Sequence, residues 1–172
     1  MLQHALCCVI VFNMSNALKA KIKQRTDFDN PAGEAILNLT VATDAVRGQM
    51  DRLFATYEIT SGQYNVLRIL RGAGCDGHPR CEIAARMVER APDITRLVDR
   101  LEQQKLVIRE RSDEDRRQSV ARISQKGLDL LDRIEPELSE FISQIAQKLS
   151  VAEWIALTSL CEKIYAEQNE SR

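Results

Sequence analysis

The sequence predicts a fold that is mainly α with a small antiparallel β wing. Three observations carry this. Most of the 172 residues lie in stretches whose apolar side chains recur at helical spacing. Two short runs stand apart and read as strands, Leu106-Val107-Ile108 and Val120-Ala121-Arg122-Ile123. Between them sits a tight cluster of charge: Asp113, Glu114, Asp115, Arg116 and Arg117. A hairpin tip this polar cannot enter a core, because unpaired charge is too costly to bury. It projects into solvent or onto a charged partner. A helix-like segment with arginines on one face, Pro92 to Lys105, precedes it directly. Helix followed by charged hairpin is the arrangement of a winged helix-turn-helix, whose natural partner is double-stranded DNA.

Taken in order, residues 1–32 read as an N-terminal extension with little expected order. Its apolar run, Ala5 to Phe12, is too short to span a bilayer and lacks a basic flank or a small-residue cleavage site. Met14 opens a more typical start, MSNALKAKIKQ, so the first 13 residues are expected to be a poorly ordered extension or a misplaced start. Asn30-Pro31 ends this leader. The first strong helix is expected from Gly33 to Phe54, with Ile36, Leu39, Ala42, Val46, Met50 and Leu53 near helical spacing, and 33–58 reads as a dimerisation helix. Thr60-Ser61-Gly62-Gln63 is a capping box that launches a second helix through Leu70, with Tyr64, Leu67 and Leu70 on one side.

Gly72, Gly74, Gly77 and Pro79 then break the chain. A short helix follows from Cys81 to Glu89, with Ile83, Ala84 and Met87 inward and a poor N-cap. Pro92 at the first helical position and Asp93 in the first turn open the next helix. With its hairpin, this completes a winged helix-turn-helix domain over 59–124. Ser124 caps a long helix to Leu149, which Pro136 should kink or break. Ser150 and Glu153 form a second capping box, and the last helix carries Trp154, Leu157, Leu160, Cys161 and Ile164. The C-terminal helices, 125–172, and the first helix thus bracket the winged centre. Their apolar surface exceeds what one partner can cover, which predicts that they are dimerisation helices of a homodimer. The plainer alternative is a monomer in which they pack on their own centre.

The net charge of −1 would not suggest nucleic acid, but its distribution does. Residues 60–126 hold 14 Lys and Arg against 10 Asp and Glu, while the remainder holds 10 against 15. A basic middle between acidic ends suggests one DNA-facing surface. Five cysteines, an odd number in a chain too long to need staples, favour a reducing compartment and a cytoplasmic location with no membrane partner.

In the segment before the hairpin, Ile94, Leu97, Val98 and Leu101 fall at i, i+3, i+4 and i+7, one buried stripe. Thr95, Arg96, Arg100 and Gln103 project elsewhere and are the side chains a recognition helix would use. Arg bonds guanine O6 and N7 in the major groove, and Gln or Thr reaches base edges or phosphates. Asp99, one turn on, is placed to orient Arg96. The bland alternative is a solvated surface helix with alternating charges. At the hairpin tip, Arg116 and Arg117 suit a narrow minor groove, where the negative potential is enhanced. Asp115 is expected to pair with a neighbouring arginine and stiffen the tip.

The run ITRLVDRLEQQKLVIRERSDEDRRQSVARISQKG resembles the MarR family of bacterial transcription regulators. Asp115-Arg116-Arg117 matches that family's wing signature, and Ile123-Ser124-Gln125-Lys126-Gly127 its closing one with Ser for Thr. Ile59 to Tyr64 resembles the entry to its second helix. The resemblance implies a homodimer joined through its terminal helices. It implies sequence-specific binding to a pseudo-palindromic operator, in the manner of a ligand-responsive repressor, with no cofactor. It also implies a small apolar or phenolic effector held between the dimer helices and the winged domain. Candidates here are Val41, Tyr64 and Leu67, each of which also suits plain core packing. Lys105 departs from the pattern, standing where the family has Gly, and predicts a strained helix end. The glycine-rich loop from Gly72 to Arg80 is also long for the family.

Rival functions find less support. His4 and His78 are the only histidines, and no Ser-His-acid order, phosphate-cradling loop or HExxH is present, so the chain is not expected to be an enzyme. Cys75, His78 and Cys81 lie at a spacing that suits zinc but lack a fourth ligand, so no metal site is expected. A thiol- or metal-sensing regulator using Cys81 and Cys75 is one alternative, and a winged-helix protein-interaction module without DNA binding is another.

Overall fold

A computed structural model describes residues 16–89, 93–111 and 119–166. The first 13 residues, Pro92 and the charged hairpin tip with Asp115, Arg116 and Arg117 lie outside the described residues. The fold is mainly helical with a three-stranded antiparallel sheet. Its elements are α1 (Asn16–Ile22), α2 (Pro31–Ala55), α3 (Ser61–Ala73), β1 (His78–Pro79), α4 (Arg80–Arg86), α5 (Ile94–Gln103), β2 (Val107–Arg111), β3 (Ser119–Ile123), α6 (Gln125–Ala146) and α7 (Val151–Tyr165). Contacts group the chain into two compact units, residues 1–49 and 50–172.

In the first unit, the stretch read as a leader contains the helix α1, with Leu18 buried and Lys19 paired with Asp27. Pro31 does not merely end the leader. It is the first residue of α2, where its missing N–H costs nothing, and Asn30 Oδ1 accepts from the Ala32 N–H at 2.9 Å. The α2 residues Ile36, Leu37, Leu39 and Val46 are exposed.

The second unit is built on α3, which packs against α4, α5, α6 and β3. The capping box is formed: Thr60 Oγ1 accepts from the Gln63 N–H at 3.2 Å, and Gln63 Oε1 accepts from the Thr60 N–H at 2.9 Å. The helical stripe then puts Val66, Leu67 and Leu70 at zero exposure beside Phe54, Ile83, Val98 and Leu101. α3 runs through Gly72 and ends only at Gly74, with φ 59°. α4 starts without a side-chain cap, buries Ile83, and leaves Ala84 exposed. α5 begins at Ile94 rather than Pro92, because Asp93 is its N-cap: the side chain accepts from the Arg96 N–H at 3.0 Å.

The sheet order is β1-β3-β2. β2 and β3 pair from Val107 opposite Ile123 to Arg111 opposite Ser119, one to two residues longer than the apolar runs suggested. β1, within the glycine-rich loop, adds a third strand on the other edge of β3. Gly77 makes that return possible. Its φ is 66°, and a Cβ there would lie 2.4 Å from the Ala121 carbonyl oxygen. α6 begins at Ser124, whose hydroxyl accepts from the Gly127 N–H at 3.1 Å, and continues through Pro136 without a break. α7 opens on the Ser150–Glu153 capping box.

Candidate nucleic-acid interface

α5 presents two faces because its sequence alternates them at helical period. Val98 and Leu101 are fully buried and Ile94 and Leu97 pack beside them. Arg96, Arg100 and Gln103 lie on the opposite face and are exposed. Arg96 keeps 80% of its side chain exposed while its Nε pairs with Asp93 Oδ2 at 3.1 Å. Among the described residues, Arg100 and Gln103 have no side-chain partner, so their donors are available. Thr95 sits differently. It is half-buried on the flank toward α4, and its hydroxyl accepts from the Arg80 guanidinium at 3.2 Å. This bond ties the first residue of α4 to the second of α5, across the helix-turn-helix.

The orienting role expected of Asp99 is overturned. Asp99 pairs with Arg109 of β2, and Asp93 holds Arg96 instead. The reason is the period of two along β2, which puts Arg109 on the same side as buried Val107, toward α5. Arg109 Nε also lies 3.2 Å from Glu102 Oε2. One guanidinium, 23% exposed, therefore answers both acids on this flank of α5. It fixes the base of the hairpin on α5 and offsets one of the two negative charges on this flank. Sequence reasoning missed Arg109 and Arg80, since nothing local distinguishes either from a surface arginine. A signal for Arg109 existed in its alternation with Val107. On the outer side of the hairpin Arg122 pairs with Glu110.

Of the candidate effector residues, Tyr64 and Leu67 are core: the Tyr64 ring stacks on Phe54 with centroids 4.3 Å apart, and its hydroxyl accepts from Arg68 at 3.0 Å. That bond also raises the Arg68 pKa. Val41 is half-buried on α2 in the other unit. None of the three lines the open groove of about 560 Å³ between the end of α2 and α6, which is formed by Arg52, Leu53, Thr56, Pro136, Glu137, Glu140, Phe141 and Gln144. Nearby, Tyr57 donates its hydroxyl to Glu137 at 2.7 Å, and this bond, with burial and the Glu137 charge, raises the Tyr57 pKa. Cys75 and Cys81 are exposed free thiols, and no group of described residues is arranged to hold a metal ion. No helix among the described residues is long and apolar enough to cross a membrane.

The chain is similar to known proteins in sequence and fold. The MarR family model matches residues 59–119, from two residues before α3 to the first residue of β3. The HTH-type transcriptional regulator MhqR of Bacillus subtilis (strain 168) is 29% identical over 126 residues, covering 73% of this chain and 86% of that protein. The crystal structure of a MarR transcription factor from Planctomyces limnophilus is 34% identical with a TM-score of 0.62, over 79% of this chain and 98% of that one. The S. aureus MepR–DNA complex has the same fold at 20% identity and a TM-score of 0.68, over 75% of this chain and 94% of that one. The helix-turn-helix, the antiparallel wing and these likenesses together place the chain in the MarR family, as a winged-helix transcriptional regulator.

Proposed function

We propose that the chain is a cytoplasmic, sequence-specific repressor that binds a pseudo-palindromic operator as a homodimer and is released by a small apolar or phenolic effector. The observation that carries this is the outer face of α5. Arg96, Arg100 and Gln103 stand exposed together, while the neighbouring acids Asp99 and Glu102 are both paired with Arg109. Such a face suits the major groove, where arginine reads guanine. Arg116 and Arg117 follow in sequence at the hairpin tip and are assigned to the minor groove or its phosphates, with Asp115 stiffening the tip. The fold shared with MepR, crystallised with DNA, supports this docking. Half-site centres are expected about 10 bp apart, one turn of the duplex. For the effector, the groove beside α2 has an apolar lining of Leu53, Pro136 and Phe141 and a cation in Arg52 for a phenolate. Tyr64 and Leu67 would then act through the core against which Leu53 and Phe141 pack.

The test is enrichment of duplexes from random-sequence DNA, followed by titrations at several salt concentrations on the enriched and a scrambled duplex. Arg96→Ala is expected to cost about 1–3 kcal/mol on the enriched duplex, with little change on the scrambled one. Arg117→Ala is expected to weaken both and to lower the salt slope by about one unit per site. Equal loss on both duplexes for Arg96→Ala would make it a phosphate contact. No enriched duplex at all would leave the protein-interaction module as the better reading.

A further inference from the structure

Four helix ends meet around one side chain. Gln104 caps the C-terminus of α5. Its Nε2 donates to the carbonyl of Glu58, in the turn that closes α2, at 3.1 Å. Its Oε1 accepts from Gln63 Nε2 of α3 at 3.4 Å. Gln63 is only 4% exposed, and its Oε1 is already engaged by the capping box that starts α3. The backbone carbonyl of Gln104 accepts from Lys126 Nζ, in the first turn of α6, at 2.9 Å. A carboxamide is suited to this place because it offers a donor and an acceptor from one short stem.

The two helix ends that Gln104 joins are closed in the same way. Glu58 has φ 58° and Lys105 φ 62°, left-handed conformations that glycine usually supplies. After each, a six-residue closure follows: the Ile59 N–H donates to the Phe54 carbonyl at 3.2 Å, and the Leu106 N–H to the Leu101 carbonyl at 2.9 Å. Strained residues of this kind persist only where their surroundings over-determine them. At both ends part of that surrounding is the same residue, through its side chain at Glu58 and through the adjoining backbone at Lys105.

We infer that Gln104 is a positioning residue for DNA recognition. It couples the end of α2 to the end of α5, so that the two closures open together and α5 is held at the angle that reads base edges. The inference rests on the DNA-binding reading above. It makes the end of α2, which also contributes Arg52, Leu53 and Thr56 to the groove, mechanically continuous with the recognition helix.

Two variants separate the contacts. Gln104→Met keeps the length of the side chain and removes both hydrogen bonds. Gln104→Glu keeps the acceptor for Gln63 and removes the donor to Glu58. Amide hydrogen exchange is read first, on the free protein. In Gln104→Met the amides of Glu58, Ile59, Lys105 and Leu106 are expected to exchange about tenfold faster as one set, because a shared opening governs them. In Gln104→Glu, which keeps the fold if the Met variant loses it, all four amides are expected to speed up equally. Acceleration confined to either pair overturns the coupling.

Binding is then measured on a duplex enriched by the wild-type protein and on a scrambled duplex of the same length. Gln104→Met is expected to lose about tenfold affinity on the enriched duplex only. Its salt slope should not change, since no phosphate contact has been removed. Equal loss on both duplexes, or loss on neither, overturns the assignment. If the wild-type protein enriches no duplex, the DNA-binding reading fails and takes this inference with it. If it does and the variant matches it, only the coupling fails.

Discussion

Three non-glycine residues of this chain have positive φ, among those described: Lys23, Glu58 and Lys105. All three end helices, at α1, α2 and α5. At each, the next residue's N–H reaches back five positions, as from Gln24 to Lys19, from Ile59 to Phe54 and from Leu106 to Leu101. Lys105 was foreseen because a resemblance put Gly there. Lys23 and Glu58 were not, since a left-handed residue leaves no mark in a sequence unless it is Gly or Asn. Left-handed backbone costs an L residue roughly 1–2 kcal/mol, of which glycine's extra unfolded-state freedom returns about 0.5–1. Lys105→Gly is therefore expected to stabilise the fold by about 0.5–1 kcal/mol, seen as a melting temperature higher by about 2–3 °C. An unchanged or lower melting temperature would show that the Lys105 side chain compensates for its backbone.

At the scale of elements, the wing is held on α5 by a strand residue, Arg109. Arg109→Met frees Asp99 and Glu102, each under half exposed and able to rehydrate, so the loss of stability is expected to be only about 1 kcal/mol. The loss of function is expected to be larger. DNA affinity should fall about tenfold, since two carboxylates beside the reading face lose the cation that offsets them. Adding Asp99→Asn and Glu102→Gln separates the two roles of Arg109. Restored affinity assigns the effect to charge, and continued weakness assigns it to the angle of the hairpin. The start of α7 carries a pH dependence of its own. The Ser150 N–H and hydroxyl both donate to the Glu153 carboxylate, at 2.8 and 2.7 Å, and hold its pKa below the ordinary range. A carboxyl depressed in the folded state stabilises above its unfolded pKa and loses that contribution as pH falls through the folded one. An NMR titration is expected to show Glu153 protonating at lower pH in the native protein than in Ser150→Ala. Coincident curves would remove the Ser150 hydroxyl as a cause and leave the backbone N–H, which alanine keeps.

At the scale of the whole molecule, α7 is the element that a single chain leaves unexplained. It has no buried residue, and Val151, Ile155, Leu160 and Ile164 are 76%, 66%, 57% and 59% exposed. Four aliphatic side chains in water are an incomplete interface, and a two-fold partner would cover them while matching a two-fold operator. Sedimentation at micromolar concentration is expected to give twice the chain mass, and Leu160→Asp with Ile164→Asp to shift the protein toward monomer. A wild-type monomer would sink the homodimer.

The fold class, the order of α2 to α7 with the β2–β3 wing, and the caps at Thr60, Ser124 and Ser150 were legible in the sequence alone, whereas α1 was not. Each rests on chemistry within a few residues: a hydroxyl reaching an N–H three positions on, or apolar side chains repeating at the period of one helix. So too was the outward face of Arg96, Arg100 and Gln103, because a buried stripe fixes what lies opposite it. What only the tertiary structure decided depends on residues far apart in the chain. β1 exists because Gly77 lets His78 and Pro79 reach β3, some forty residues on. Asp99 serves Arg109 rather than Arg96 because the strand brings a guanidinium into competition with the one in its own helix. Gln104 looks like any polar helix end until Glu58 and Gln63 are folded against it. Local periodicity cannot encode such meetings, since they are set by how the elements pack and not by what each element is.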